Sequence, residues 1–93
     1  KASFAGGEIG IKNYVVSNAK LSNVDAKLSG SYKIKVMIKP NGTIKVLKIR
    51  SIANGDLKSI DSIKKILNSM KSWNPEMDNG KAVQSNQEFV LEF

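Results

Sequence analysis

The sequence predicts an α+β domain in which a three-stranded sheet, antiparallel or mixed, carries two helices on one face. Apolar residues recur at helical spacing in two segments, residues 7–18 and 57–73. They alternate with polar residues in three others, at 31–39, 43–52 and 84–93. The order helix, strand, strand, helix, strand contains one strand-helix-strand unit, and a right-handed crossover in that unit makes its two strands parallel.

Length and composition limit the classes of protein that this chain can represent. The 93 residues suffice for a single domain, residues 1–93, and not for two. The sequence has no Cys and no His, which excludes disulfides, thiolate sites and histidine general bases. No apolar run approaches the roughly 18 residues of a membrane span. The chain begins at Lys1, which indicates a domain excised from a longer membrane-anchored or secreted protein.

The first helix is predicted to begin at Gly7, after an extended segment that Phe4 anchors. Glu8 falls in the first turn, where the helix dipole favours an acid. A polar connector, residues 20–29, follows this helix. The helix is predicted from four residues at i, i+3, i+4 and i+7 spacing, which are Ile11, Tyr14, Val15 and Asn18.

A β-hairpin is predicted next. Its first strand alternates apolar residues with lysines, and the turn is Pro40-Asn41-Gly42. In the returning strand, residues 43–52, the alternation slips by one residue at Val46 and Leu47, which predicts a β-bulge. The apolar face of the first strand consists of Tyr32, Ile34, Val36 and Ile38.

The second helix is predicted to start after Asp56, a favourable N-cap residue. Its apolar stripe continues at helical spacing to Trp73, so we predict that Trp73 lies on the helix, one turn beyond Met70, and fills the core. Asn74-Pro75 ends this helix, and Asp78-Asn79-Gly80 makes a turn. The stripe consists of Ile60, Ile63, Ile66, Leu67, Met70 and Trp73.

The last strand, residues 84–93, is predicted to be an edge of the sheet, with the first hairpin strand between it and the second. An edge strand leaves backbone donors and acceptors unpaired and can add an extended peptide as a further strand. Its two faces differ, with Phe89 and Leu91 on one side and Glu88 on the other. We expect the side chains of Gln84, Asn86 and Glu88 to tune specificity from the outward face. The predicted peptide-binding residues are Gln84, Ser85, Asn86, Gln87, Glu88, Phe89 and Val90.

The net charge of +7 is unevenly distributed, because residues 31–50 carry six cations and no acid. Such a block can mark a polyanion-binding surface, but the interpretation that the sequence favours is a solvated lysine-rich sheet face. The open face of the first strand lacks aromatic residues, so sequence-specific RNA binding by base stacking is not expected. No constellation of residues predicts a catalytic, cofactor-binding or metal site, and we expect no enzyme activity.

Several short motifs occur in a recognisable order and spacing across nearly the whole chain. Together they resemble the C-terminal domain of TonB-type energy transducers. The motifs are Phe4-Ala5-Gly6-Gly7-Glu8, Pro40-Asn41-Gly42-Thr43-Ile44, Ser51 with Leu57, Trp73-Asn74-Pro75, and Asn79-Gly80-Lys81 with Val83 before a final Phe93.

The resemblance implies a function in transport across the envelope of double-membraned bacteria. Such domains lie in the periplasm, anchored to the inner membrane by a segment that precedes them, and transmit force from a proton-driven inner-membrane motor. They bind the TonB box, an N-terminal segment of outer-membrane transporters, as a strand beside their own last strand. The same edge also fits an alternative, a free-standing envelope module that binds a non-transporter protein or pairs with a second copy of itself.

Overall fold

The computed structural model describes residues 2–21 and 28–93 and has the predicted α+β architecture. The main sheet has three antiparallel strands in the order β2-β1-β5, as predicted, and β3 and β4 form a separate two-stranded sheet. Because β1 separates β2 from β5, no two parallel strands are neighbours. The elements are α1 (Gly7–Leu21), β1 (Ser31–Ile38), β2 (Ile44–Ala53), α2 (Leu57–Asn68), β3 (Glu76–Asp78), β4 (Lys81–Val83) and β5 (Ser85–Glu92).

The hydrophobic core lies between one face of the main sheet and the two helices. The predicted apolar face of β1 is completely buried. α1 contributes Ile11 and Val15 to this core, and α2 contributes Ile63 and Leu67. Each such side chain contributes roughly 1.5–3 kcal/mol by burial. The opposite face of the sheet carries the lysines of β1 and remains open.

The β1–β2 hairpin contains the predicted bulge. Lys35 pairs with Lys48 and Val36 pairs with Val46, so Leu47 has no partner across the ladder. β2 starts and ends one residue later than the predicted range 43–52. The turn is completed by Gly42, whose φ of 84° is unfavourable for other residues.

The start of α2 agrees with the prediction, whereas its end does not. The Asp56 carboxylate accepts a hydrogen bond from the Ser59 backbone N–H at 2.7 Å, as an N-cap does. The helix ends at Asn68, so the prediction that Trp73 lies on it is wrong. Beyond the helix the Trp73 N–H donates to the Gly42 carbonyl at 3.0 Å. This contact with a distant turn requires a non-helical backbone at Trp73.

Two further differences lie near the chain's end. The sequence predicted only a turn at residues 78–80, but β3 and β4 flank it and form a short hairpin. Its central residues Asn79 and Gly80 both have positive φ, as a two-residue hairpin turn requires. The last strand starts at Ser85 rather than Gln84.

The N-terminal part also departs from the predicted boundaries. The extended segment before α1 gives way to a turn at Ala5 and Gly6. α1 starts at Gly7 as predicted but continues to Leu21, into the predicted connector. Residues 22–27 of that connector, and Lys1, lie outside the described residues.

Candidate functional site

β5 forms one edge of the main sheet, and within the described residues β1 is its only neighbouring strand. The pairing runs from Ser31 opposite Glu92 to Ile38 opposite Ser85 without a shift in register. β5 is therefore a regular strand of 8 residues with one side available along its length.

The direction of the backbone groups of β5 follows from one hydrogen bond. The Phe93 N–H donates to the Gly30 carbonyl at 3.0 Å, so the backbone of Phe93 faces the β1 side. In an antiparallel pair, successive residues direct their N–H and C=O alternately toward the partner and away from it. The backbone N–H and C=O groups of odd-numbered residues of β5 therefore point toward β1. The residues whose N–H and C=O groups point to the outer edge are Asn86, Glu88, Val90 and Glu92.

This alternation divides the seven predicted peptide-binding residues. Asn86, Glu88 and Val90 direct N–H and C=O groups outward, whereas the odd-numbered residues Ser85, Gln87 and Phe89 direct theirs to β1. Gln84 lies between β4 and β5 and belongs to neither strand. Glu92, which was not among the predicted residues, adds a fourth outward position. The available hydrogen-bonding edge therefore extends farther toward the C-terminus than predicted.

The side chains of the same outward residues are exposed on the open face of the sheet. Glu88 forms an ion pair with Lys33, with 3.2 Å between Oε2 and Nζ. Lys33 is opposite Val90, so this pair runs diagonally from β1 to β5. Both side chains are about half exposed, and such ion pairs contribute little to stability.

An aromatic cluster supports β5 from its covered face. Trp73 is buried and stacks on Phe89, with 6.3 Å between ring centroids. The ring centroid of Phe4 lies 5.5 Å from that of Trp73 and 6.0 Å from that of Tyr14, whose ring it meets edge-on. The N-terminal segment, α1, the segment after α2 and β5 thus meet at one point. The sequence predicted a buried Trp73 and an anchoring Phe4, but not that the two are in contact.

Polar contacts complete the support beneath the edge. The Gln87 side-chain amide donates to the Ala2 carbonyl, and Ser3 exchanges two backbone hydrogen bonds with Asn74, at 2.8 and 3.0 Å. Within the described residues, Trp73 Nε1 and Ser85 Oγ are buried without a hydrogen-bond partner. The contacts of Trp73 are therefore apolar, apart from its backbone.

Comparison with protein-family models, curated proteins and solved structures found no match to this chain. Within residues 2–21 and 28–93, no group of three acidic side chains is arranged as metal ligands. The same ranges contain no helix of sufficient length and hydrophobicity to cross a membrane. The β5 edge and the aromatic cluster beneath it form the candidate site.

Proposed function

We propose that this chain is the periplasmic domain of a TonB-type energy transducer and binds the TonB box of an outer-membrane transporter along β5. The observation that carries the proposal is the outer side of β5, a regular edge with four outward-facing residues. A peptide in the extended conformation can use these groups as a neighbouring strand does. Each hydrogen bond contributes roughly 0.5–1.5 kcal/mol, so the backbone supplies much of the affinity and side chains tune it.

The positions of the motifs support the resemblance on which the proposal rests. Gly42, from the Pro-Asn-Gly motif, approaches Trp73 so closely that a Cβ at Gly42 would lie 2.8 Å from the Trp73 carbonyl oxygen. Phe4, from the first motif, packs on the Trp73 ring. Three motifs far apart in the sequence therefore meet next to Phe89 of β5. The contacts of these motifs lie beneath the edge strand, which supports the proposal that this strand pairs with a peptide.

The direct test is a titration with N-terminal peptides of outer-membrane transporters, followed by NMR of the isotope-labelled domain. We expect the largest amide shifts at Asn86, Glu88, Val90 and Glu92, because their N–H groups gain a partner. Shifts confined to places outside residues 82–92, or no shift at millimolar peptide, would contradict the proposal.

A pair of proline variants tests the direction of the backbone groups. Asn86→Pro removes an outward N–H, which an edge strand tolerates, so the domain should fold and bind peptide several-fold more weakly. Gln87→Pro removes an N–H that faces β1, so the sheet itself should be destabilised. If Asn86→Pro unfolds the domain while Gln87→Pro leaves it stable, the assignment of the outward residues is wrong.

A second copy of the chain is the alternative occupant of this edge. β5 contains no lysine, a residue that often discourages strands from pairing edge to edge. Sedimentation at several protein concentrations separates the two functions. A monomer throughout the range favours the peptide, whereas a dimer that peptide fails to dissociate favours the interaction module.

A further inference from the structure

The open face of the sheet carries a second feature, separate from the outer side of β5. Four cationic side chains from two strands, Lys33 and Lys35 of β1 and Lys48 and Arg50 of β2, line a shallow cleft of about 130 Å³. Glu88 is the one acidic residue in its lining. We call this feature the basic cleft.

The register of the hairpin brings like charges together in this cleft. Lys33 lies directly opposite Arg50, and Lys35 lies directly opposite Lys48. Directly opposed like charges destabilise a sheet, because the side chains are only about 5 Å apart at Cβ. Glu88 forms its ion pair with Lys33, and four cations against one carboxylate leave a net charge of +3. An anion bound in the cleft would relieve this repulsion.

The surroundings of the basic cleft indicate which anion it fits. The helices cover the other face of the sheet, so a flat surface can approach the cations. An exposed apolar side chain adjoins them, since Val90 is directly opposite Lys33. The open-face positions of β1 have no aromatic ring on which a nucleic-acid base could stack. Cations beside exposed aliphatic groups suit the headgroup region of a membrane.

We propose that the basic cleft binds the phosphate headgroups of an anionic lipid surface. The cleft then holds the domain with its open face on the membrane, while the peptide site on β5 points sideways. The inference does not depend on the proposed peptide binding, because Lys and Arg side chains of β1 and β2 carry it, whereas backbone groups of β5 carry the peptide binding. Attraction between several Lys or Arg residues and anionic lipids falls steeply with ionic strength, and we expect that dependence here.

Co-sedimentation with lipid vesicles tests this proposal. The two vesicle types are phosphatidylcholine alone and phosphatidylcholine mixed with phosphatidylglycerol. At low salt the domain should bind the anionic vesicles and not the neutral ones, and added salt should release it. The double variant Lys48→Glu/Arg50→Glu should bind at least roughly tenfold more weakly, because two attractive charges become repulsive.

A matched control separates the cleft from the overall charge of the protein. The double variant Lys58→Glu/Lys64→Glu makes the same charge change on exposed positions of α2, on the opposite side of the sheet. This variant should keep most of its vesicle affinity. Both variants should have urea midpoints close to that of the parent. The difference in vesicle affinity would then not be caused by unfolding.

Three results would overturn the proposal. The first is no binding to anionic vesicles at low salt, and the second is an equal loss of affinity in both double variants. The third is tight binding of soluble polyglutamate together with weak binding of vesicles, which would assign the cleft to an acidic protein partner.

Discussion

The two edges of the main sheet differ in how readily each can pair with a further strand. On β2 the bulge at Leu47 interrupts the regular strand, and the Val46 N–H donates to Asn68 Oδ1 at 2.8 Å. β5 has an unbroken register against β1, and its outward residues lie along one line. Bulges and capped backbone groups are devices by which edge strands avoid pairing.

The charges of the two edges reinforce this difference. β2 carries Lys45, Lys48 and Arg50, whereas β5 carries Glu88 and Glu92 and no cation. Lysines on an edge discourage pairing with another strand. One edge of this sheet is therefore protected against pairing and the other is open to it, so the proposed strand addition is expected beside β5. The comparison predicts different effects for substitutions at the two edges. Substitutions beneath β5 should mainly lower the unfolding free energy, and substitutions that remove the protection of β2 should expose its backbone amides to exchange.

Removal of Trp73 should have the largest effect. Trp73→Ala deletes the ring that supports Phe89 beneath β5, and such deletions cost about 3–5 kcal/mol of unfolding free energy. Urea unfolding measures the loss, which a small domain of marginal stability barely tolerates. Trp73→Phe should retain most of the stability, because the indole Nε1 has no partner among the described residues. An unchanged urea midpoint with lost peptide binding would instead make Trp73 a contact residue of the site.

Asn68→Ala should have the next largest effect and weaken the protection of β2. The Val46 N–H would lose its acceptor in a partly buried position, which costs about 1–2 kcal/mol. Hydrogen exchange should accelerate at the Val46 amide and stay unchanged at the amides of β5. Asn68→Asp keeps an oxygen acceptor and should retain the slow exchange. Unchanged exchange at Val46 in the alanine variant would show that Asn68 does not protect this edge.

A smaller effect should appear in the pH dependence of stability, through the N-cap of the helix that supplies Asn68. Hydrogen bonds from the Ser59 backbone and side chain, and then from Ser29, lower the pKa of Asp56 below its ordinary value of 3.8. Because the pKa of Asp56 is lower in the folded state than in the unfolded state, its carboxylate stabilises the fold when the pH is above the unfolded-state pKa. This contribution is lost as the pH falls through the folded-state pKa.

The matched variant for this prediction is Asp56→Asn, which keeps an oxygen acceptor but does not titrate. Urea midpoints measured from neutral pH downward should fall more steeply for the parent than for the variant. Parallel pH profiles would mean that the Asp56 carboxylate does not contribute to acid sensitivity.

The smallest effect is expected at the diagonal ion pair between β1 and β5. Lys33→Ala removes one partner of a half-exposed pair, so the unfolding free energy should change by about 0.5 kcal/mol or less. Lys35→Ala, at the next open-face position of β1, is the control and should behave alike. A loss of several times this size at Lys33 alone would mean that the ion pair helps to hold β5 in place.

The sequence by itself determined the elements whose signals are local. Alternation along residues 31–52 predicted both hairpin strands and the bulge, because a one-residue slip changes which face every later side chain occupies. Asp56 identified the start of α2, because an N-cap needs only the residue and the turn that follows it. The faces of β5 followed in the same way from Phe89, Leu91 and Glu88.

Only the tertiary structure decided where α2 ends and which β5 residues face outward. Met70 and Trp73 fit the helical spacing, yet both are buried from the irregular segment that follows α2. The backbone N–H groups of Trp73 and Asn74 donate to Gly42 and Ser3 and not to a preceding helical turn. Those partners are distant in sequence, and periodicity carries no information about them. Likewise, the backbone groups of Asn86, Glu88, Val90 and Glu92 point outward because β1 pairs with the other side of β5. Pairing across the sheet also created the basic cleft, because register alone sets lysines of β1 opposite cations of β2.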